Sequence, residues 1–312
     1  MPCGTSHSPP HGEVSESITA TPKLATDGLA NLRESNFAYK ITAMRIPLFH
    51  VDAFTDRPFS GNPAAVCPLQ AWLDDGLLLK VAAENNLSET AFFVPRDGLP
   101  GRGHYDLRWF TPRCEVNLCG HATLASAYVV LNLLHPGIES VRFETRFSGT
   151  LAVRKDGEMF SMDFPAMFAQ PCPNQPDTLI RALGPGHLPA TVLEANDTYI
   201  AVYENESAIR NVRPDFALLE QLHPFAVSVT SRGDAADFVS RYFAPSYGVP
   251  EDPVTGSAHC LLAPYWAQRL GKTALHARQI SERGGELWCD MAGQRVIIKG
   301  SAVLTLQGTL VI

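Results

Sequence analysis

The chain has 312 residues, 45% of them hydrophobic and 18% charged, with a formal net charge of −7. That length can hold two ordinary domains with cores of their own, and the composition is that of a globular protein. It lacks the basic stripe that nucleic acid demands and any apolar run long enough to span a membrane. Its seven cysteines are scattered without a C-x-x-C pair, the pattern of reduced thiols in a cytoplasmic protein.

Residues 1–43 are rich in Ser, Thr, Pro, Ala and Gly and have no periodicity. They read as a disordered extension, without the apolar core of a signal peptide, and the fold is expected to start at Met44. Arg45 to Phe54 predicts a first strand. A dense turn cluster follows over Thr55 to Pro63, and then a second strand over Ala64 to Leu69. Apolar residues at helical spacing predict a helix from Trp72 to Asn86. Strands are expected at Glu89–Val94 and Tyr105–Thr111, and a helix buried on most sides at His121–Leu134. Short strands at Phe143–Thr145, Gly149–Arg154 and Met159–Phe164 close a first half, and the proline-rich stretch Pro171–Pro176 reads as a linker. The second half predicts helices near Leu179–Leu183 and Phe216–Leu222, with strands at Thr198–Tyr203 and Phe225–Ser231. Four more strands are expected between Arg278 and Leu306.

One segment occurs twice. Arg108-Trp109-Phe110-Thr111-Pro112 leads to Cys119-Gly120-His121-Ala122. Arg241-Tyr242-Phe243-Ala244-Pro245 leads to Asp252-Pro253-Val254-Thr255-Gly256-Ser257. Each copy is a strand, then a loop, then a glycine that opens an apolar helix. The fold class is therefore α+β. Two pseudo-symmetric domains, 44–165 and 166–312, are each expected to wrap a sheet around a central helix, with a cleft between them. Pro264 lies inside the second helix and should kink it or break it locally.

Several residues are candidates for chemistry. Glu89 sits among Leu87, Ala91, Phe92 and Phe93, where partial burial would raise its pKa toward the range of a general acid or base. On local pattern alone, a solvent-facing residue at a strand edge or helix end is the better reading. Gly120 and Gly256 each let backbone approach a ligand closely, and the free N–H groups of a helix start suit a carboxylate. A thiol at Cys119 could be acidified there, and His121 could move protons near neutral pH, but both are equally readable as structural residues. Asp252 precedes Pro253 and is held extended. Ser257 adds a hydroxyl, or else simply belongs to a capped helix start. Cys114, Cys119 and His121, like His259-Cys260, do not match the ligand spacing of structural zinc, so a metal-free site is expected. Neither a dinucleotide-binding glycine loop nor a serine nucleophile elbow is present.

Taken together in this order, the motifs resemble the PhzF family of phenazine biosynthesis-like isomerases, whose fold is similar to that of diaminopimelate epimerase and proline racemase. The likeness covers Met44 to Ile312. It rests on Val51-Asp52-Ala53-Phe54, Gly61-Asn62-Pro63-Ala64-Ala65, Asn86-Leu87-Ser88-Glu89-Thr90-Ala91-Phe92, Phe110-Thr111-Pro112, Cys119-Gly120-His121-Ala122-Thr123, Met162-Asp163-Phe164-Pro165, Glu251 through Ala258, and Ser281-Glu282-Arg283-Gly284-Gly285. The resemblance implies two β-barrel-like domains around central helices, a site at their interface, no cofactor, and a homodimer. It implies that Glu89 shuttles a proton, that His121 and Asp252 assist, and that Gly120 and Ser257 hold the substrate. Gly256 and Cys119 are expected to line the same pocket. The expected activity is an isomerisation of a small carboxylated metabolite. The epimerases oppose two thiols. Cys119 matches one of these, and the second copy has Pro253 where the other would be expected. An amino-acid racemase using Cys119, or a metabolite-binding protein without catalysis, stands as the alternative.

Overall fold

The computed structural model describes residues 43–96, 101–184, 186 and 188–312, and Met44–Ile312 forms one compact unit. The extension expected over residues 1–43 lies, except for its last residue, outside the described residues. The first half of the chain runs β1 Arg45–Ala53, β2 Asn62–Pro68, α1 Asp75–Asn85, β3 Glu89–Pro95, β4 His104–Phe110 and β5 Glu115–Val116. It continues with α2 Gly120–Tyr128, β6 Ser140–Thr145, β7 Thr150–Asp156 and β8 Met159–Pro165. The second half begins β9 Gln170–Pro171, α3 Asp177–Ala182, β10 Thr191–Ala195, β11 Thr198–Val202, α4 Glu206–Arg210 and α5 Phe216–Glu220. After these come β12 Ala226–Arg232, β13 Phe238–Ala244, β14 Val249–Asp252 and α6 Gly256–Leu270. The chain ends with β15 Ala274–Gln279, β16 Gly285–Ala292, β17 Arg295–Gly300 and β18 Ala302–Val311.

The duplicated segment extends to the whole topology. In the first half β1–β2 is antiparallel, β2–β3 parallel, β3–β4 and β4–β5 antiparallel, β4–β6 parallel, and β6–β7 and β7–β8 antiparallel. The same series recurs from β10 to β17. Each parallel step needs a helical crossover. The first crossover is α1 in one half and α4 with α5 in the other; the second is α2 in one half and α6 in the other. The halves are stitched at two seams. β17 pairs antiparallel with β8, and the last strand, β18, leaves the second half to pair with β1.

Burial explains why α2 and α6 are the central helices. His121 through Ala127 are all buried, and nine residues of α6 are buried. A helix apolar all round has to be enclosed, and the strands supply the enclosure. Phe93, Trp109 and Phe143 from the first half and Leu287, Cys289 and Ile298 from the second join both helices in one continuous apolar cluster. The predicted helix to Leu134 does run that far, but its last turn, Val129–Leu134, widens to the π form.

Three expectations need correction. The helix predicted from Trp72 starts at Asp75, because Asp74 caps it by accepting from Gly76 N–H at 2.9 Å. Pro264 does not break α6, which is continuous to Leu270. Proline removes the N–H that would reach the Cys260 carbonyl, and Met167 N–H takes that carbonyl instead at 2.9 Å. The sequence reading also passed over β10 and α4. β10 forms a hairpin with β11 across Asn196-Asp197, where Asn196 has φ 48°, and Asn205 caps α4 through the Ala208 N–H.

Candidate active site

Aligning the two copies on their strand pairing shows which positions correspond. Trp109 pairs with Val116, and Tyr242 pairs with Asp252. Cys119 and Thr255 are the N-cap residues of α2 and α6, so Gly120 corresponds to Gly256 and His121 to Ser257. The position opposite Cys119 is therefore Thr255 and not Pro253, which corresponds to Asn117. Loop length alone puts Pro253 opposite Cys119; the observed helix start moves the match two residues on, to Thr255. Neither Thr255 nor Pro253 supplies a thiol to match Cys119.

The two helix starts meet head to head. A methyl group placed on Gly120 would lie 3.6 Å from Gly256 Cα, so the backbones touch with no side chain between them. Neither N-cap side chain bonds back to its own first turn. The Thr255 hydroxyl is instead spent on Asp252 Oδ2. Phe54, buried and at φ 62°, lies under this junction. Its ring leaves room for nothing larger than glycine at Gly300, where an added Cβ would come within 2.5 Å.

Glu89, His121 and Asp252, far apart in sequence, converge here. Glu89 opens β3 and its side chain is 14% exposed, which corrects the local preference for a solvent-facing edge residue. Glu89 Oε2 stands 3.1 Å from His121 Nε2, too poorly aligned to count as a hydrogen bond, and is otherwise a buried oxygen without a partner. On the other edge of the ring, His121 Nδ1 faces Asn62 Nδ2 at 3.1 Å and Cys119 Sγ at 3.5 Å. Asn62 Nδ2 also donates to Asp252 Oδ1 at 2.7 Å and to the Val254 carbonyl at 2.9 Å. Imidazole and aspartate are thus joined through one amide nitrogen. Ser257 lies next to Gly256 but is exposed.

Electrostatics differ across the cluster. Burial pushes the Asp252 carboxyl up to about 6, against the pull of His121 and its hydrogen bonds from Thr255 and Asn62. Burial also pushes the Cys119 thiol up to about 11, and Glu89 adds to the rise. For His121, burial works against the charged ring, while Cys119 and Glu89 work for it and prevail. Since the thiol is protonated at neutral pH, Glu89 is the lasting part of that attraction.

Glu89, Cys119 and His121 place one carboxylate oxygen, the sulfur and one ring nitrogen within 4.8 Å of one another, a donor set that a soft divalent ion could use. Cys114 is not in this group; it is exposed and bonded to Thr111. His259 is buried against Phe238, with its pKa lowered to about 4 by burial, and bonds through Nδ1 to the Thr255 carbonyl at 2.8 Å. It serves α6 and is not part of the cluster.

Sequence reasoning missed the supports. Gln279 accepts from Thr255 N–H and donates to the Asp252 carbonyl, fixing the loop before α6. Arg283 reaches from the second half to Asp52 at 2.8 Å and to the Gly61 and Ser60 carbonyls. That clamp holds the turn from which Asn62 enters. Asn62 and Arg283 both stand in motifs quoted above, but nothing local to either hinted at a partner some 190 or 230 positions away.

Among known proteins, the profile described as phenazine biosynthesis-like protein matches residues 51–308. An uncharacterised isomerase of Pseudomonas aeruginosa is 55% identical over 267 residues, covering 86% of this chain and 99% of its own. The crystal structure of a PhzF family protein from Enterococcus faecalis superimposes with a TM-score of 0.80 at 42% identity, covering 86% of this chain and 99% of that one. A hydroxyproline epimerase from Agrobacterium vitis, only 10% identical, shares the fold alone, with a TM-score of 0.56 over 86% of this chain and 93% of its own. A shared pairing pattern in both halves, a family match over residues 51–308 and relatives named as isomerases lead to one conclusion: this chain is an isomerase of the phenazine biosynthesis-like, or PhzF, family, with the diaminopimelate epimerase-like fold.

Proposed function

We propose that the protein is a cofactor-independent isomerase that moves a proton between two positions of a small carboxylated metabolite. The observation that carries this is the contact of Glu89 Oε2 with His121 Nε2 at 3.1 Å, in a largely buried cluster where that oxygen has no aligned donor. A half-dry carboxylate free of strong hydrogen bonds is a competent base. In the proposed step Glu89 accepts a proton from carbon, the bonding electrons move into the substrate's conjugated system, and Glu89 returns the proton at a different carbon. His121 presents or receives a proton beside it, and Asp252 anchors the polar end of the site. The first-turn N–H groups at Gly120 and Gly256, uncapped by their own N-cap side chains, suit the substrate carboxylate, with Ser257 at the rim. Closure of two domains, 44–165 and 166–312, over the ligand would keep water from the proton in transit.

The rival racemase reading is disfavoured by the thiol held up to about 11 at Cys119 and by Thr255 opposite it. The test is a metabolite panel incubated with the protein in D₂O and read by mass spectrometry for solvent deuterium at carbon. Glu89→Gln should lower incorporation by about 10³-fold, within the range for loss of a general acid/base, with binding retained. An unchanged rate would refute the role of Glu89. Exhaustive chelation should leave the rate intact; loss that a divalent ion restores would mean that Glu89, Cys119 and His121 hold a metal.

A further inference from the structure

The Asn62 side chain is fully buried, and its nitrogen lies within hydrogen-bond distance of three atoms. One is a backbone carbonyl, that of Val254 at 2.9 Å, which can only accept. This fixes the amide orientation. Turned over, the amide would set its oxygen against the Val254 carbonyl and the Asp252 carboxylate, and would bury two N–H groups where only Oδ1 now lacks a partner. The atom facing His121 Nδ1 at 3.1 Å is therefore the amide nitrogen, which cannot accept a hydrogen bond from the ring. A proton on Nδ1 would point donor at donor. Cys119 Sγ lies 3.5 Å from Nδ1, and its thiol, protonated at neutral pH, can donate to a bare Nδ1.

We infer that Asn62 is a positioning residue that holds His121 as the neutral tautomer protonated at Nε2, the ring nitrogen nearest Glu89. The inference rests on the reading of Glu89 and His121 as the proton-handling pair. It gives Asp252 a part that needs no contact with the reacting carbon: Asp252 and the Val254 carbonyl hold the amide, the amide holds Nδ1 bare, and the ring meets Glu89 with a defined proton. Glu89 and Cys119 favour a doubly protonated ring, so the tautomer depends on the Asn62 amide outweighing them. The second half of the chain thereby sets the protonation of a residue in the first.

The test is the nitrogen spectrum of the ¹⁵N-histidine-labelled full chain at pH 7.5, with His121 assigned by the signal lost in His121→Gln. Long-range ¹H–¹⁵N correlations distinguish a bare from a protonated ring nitrogen. The expected result is bare Nδ1 and protonated Nε2. Two protonated nitrogens, or a proton on Nδ1 alone, would overturn the inference on the wild-type protein without any variant. In Asn62→Ala, Nδ1 should gain a proton. A folded variant that keeps the wild-type pattern would also overturn the inference. If that variant does not fold, Asn62→Ser, whose hydroxyl can accept from Nδ1–H, reports the same gain. The spectrum involves no turnover, so its failure leaves proton transfer by Glu89 standing, and an active Glu89→Gln protein leaves the spectrum as it was.

Discussion

The two helix starts share a backbone and differ in chemistry. In both halves an arginine two residues before a phenylalanine forms a fork with a glutamate on the next strand. Arg108 reaches Glu115 at 2.7 and 2.8 Å, and Arg241 reaches Glu251 at 2.8 and 2.9 Å. In both, the guanidinium lies 5.0 Å from that phenylalanine's ring centre. From the next position the copies diverge: Val116 against Asp252, Cys119 against Thr255, His121 against Ser257. The repeated forks belong to the scaffold, and the positions that differ give the two helix starts their different chemistry. A symmetric arrangement would present two equivalent faces; this one sets an imidazole and the Glu89 carboxyl on one side and an aspartate with hydroxyls on the other.

The forks test the scaffold half of that distinction. Removing one partner of a largely buried ion pair strands the other, and the cost is large. Arg241→Met should cost about 3–4 kcal/mol in urea unfolding, because it strands Glu251 and also takes the donor from the Ile209 and Val212 carbonyls. Arg108→Met should cost about 2 kcal/mol, since Glu115 keeps Arg146 at 3.2 Å. A larger loss at Arg108 than at Arg241 would mean that the copies do not carry equivalent loads. Neither change should alter the His121 spectrum.

Asp252 tests the divergent half. Its folded pKa of about 6 exceeds its unfolded value of 3.8, so the folded protein binds that proton more tightly. The stabilisation is full below about pH 4 and is lost as pH rises through 6. The two-unit difference amounts to at most ~3 kcal/mol, reduced where solvent reaches the half-buried carboxyl. Urea unfolding between pH 4 and 7 should show wild type losing stability that Asp252→Asn retains. Parallel pH profiles for the two proteins would place the Asp252 carboxyl in solvent and unlink it from His121. Val116, its counterpart, carries no charge and has no such dependence.

The scaffold was legible from the sequence because its signals are local. Strand periodicity, an all-apolar helix and the repeated Arg-x-Phe segment each declare themselves within twenty residues, and most strands and both central helices fall where that pattern puts them. The site was legible only in part. Glu89, His121 and Asp252 stand at motif positions, but local pattern argued against Glu89, because the residue it meets, His121 of α2, lies outside its own stretch of sequence. Asn62, Gln279 and Arg283 were illegible as site residues for the same reason: every partner that gives them meaning is distant in sequence. Pro264 shows the converse, a local rule that was correct about the lost hydrogen bond and wrong about the break, since Met167 supplied the missing donor.

The smallest expected effect lies at the most reactive-looking residue. Cys119 sits at a helix start beside an imidazole, a place where thiols are often acidified. Here burial and Glu89 outweigh those influences and hold the thiol up to about 11, and its counterpart Thr255 offers no second thiol to oppose it. Cys119→Ala should leave deuterium incorporation within about 10-fold of wild type, the loss of an S–H donor to Nδ1 being worth ~1 kcal/mol. Native Cys119 should resist iodoacetamide at pH 7.5, since thiolate is the nucleophile and little is present. A Cys119→Ala protein as inactive as Glu89→Gln would reverse the comparison. The thiol would then be the second proton carrier, and the asymmetry of the pocket would be that of a racemase whose opposite base is Asp252, the remaining titratable group on the far side.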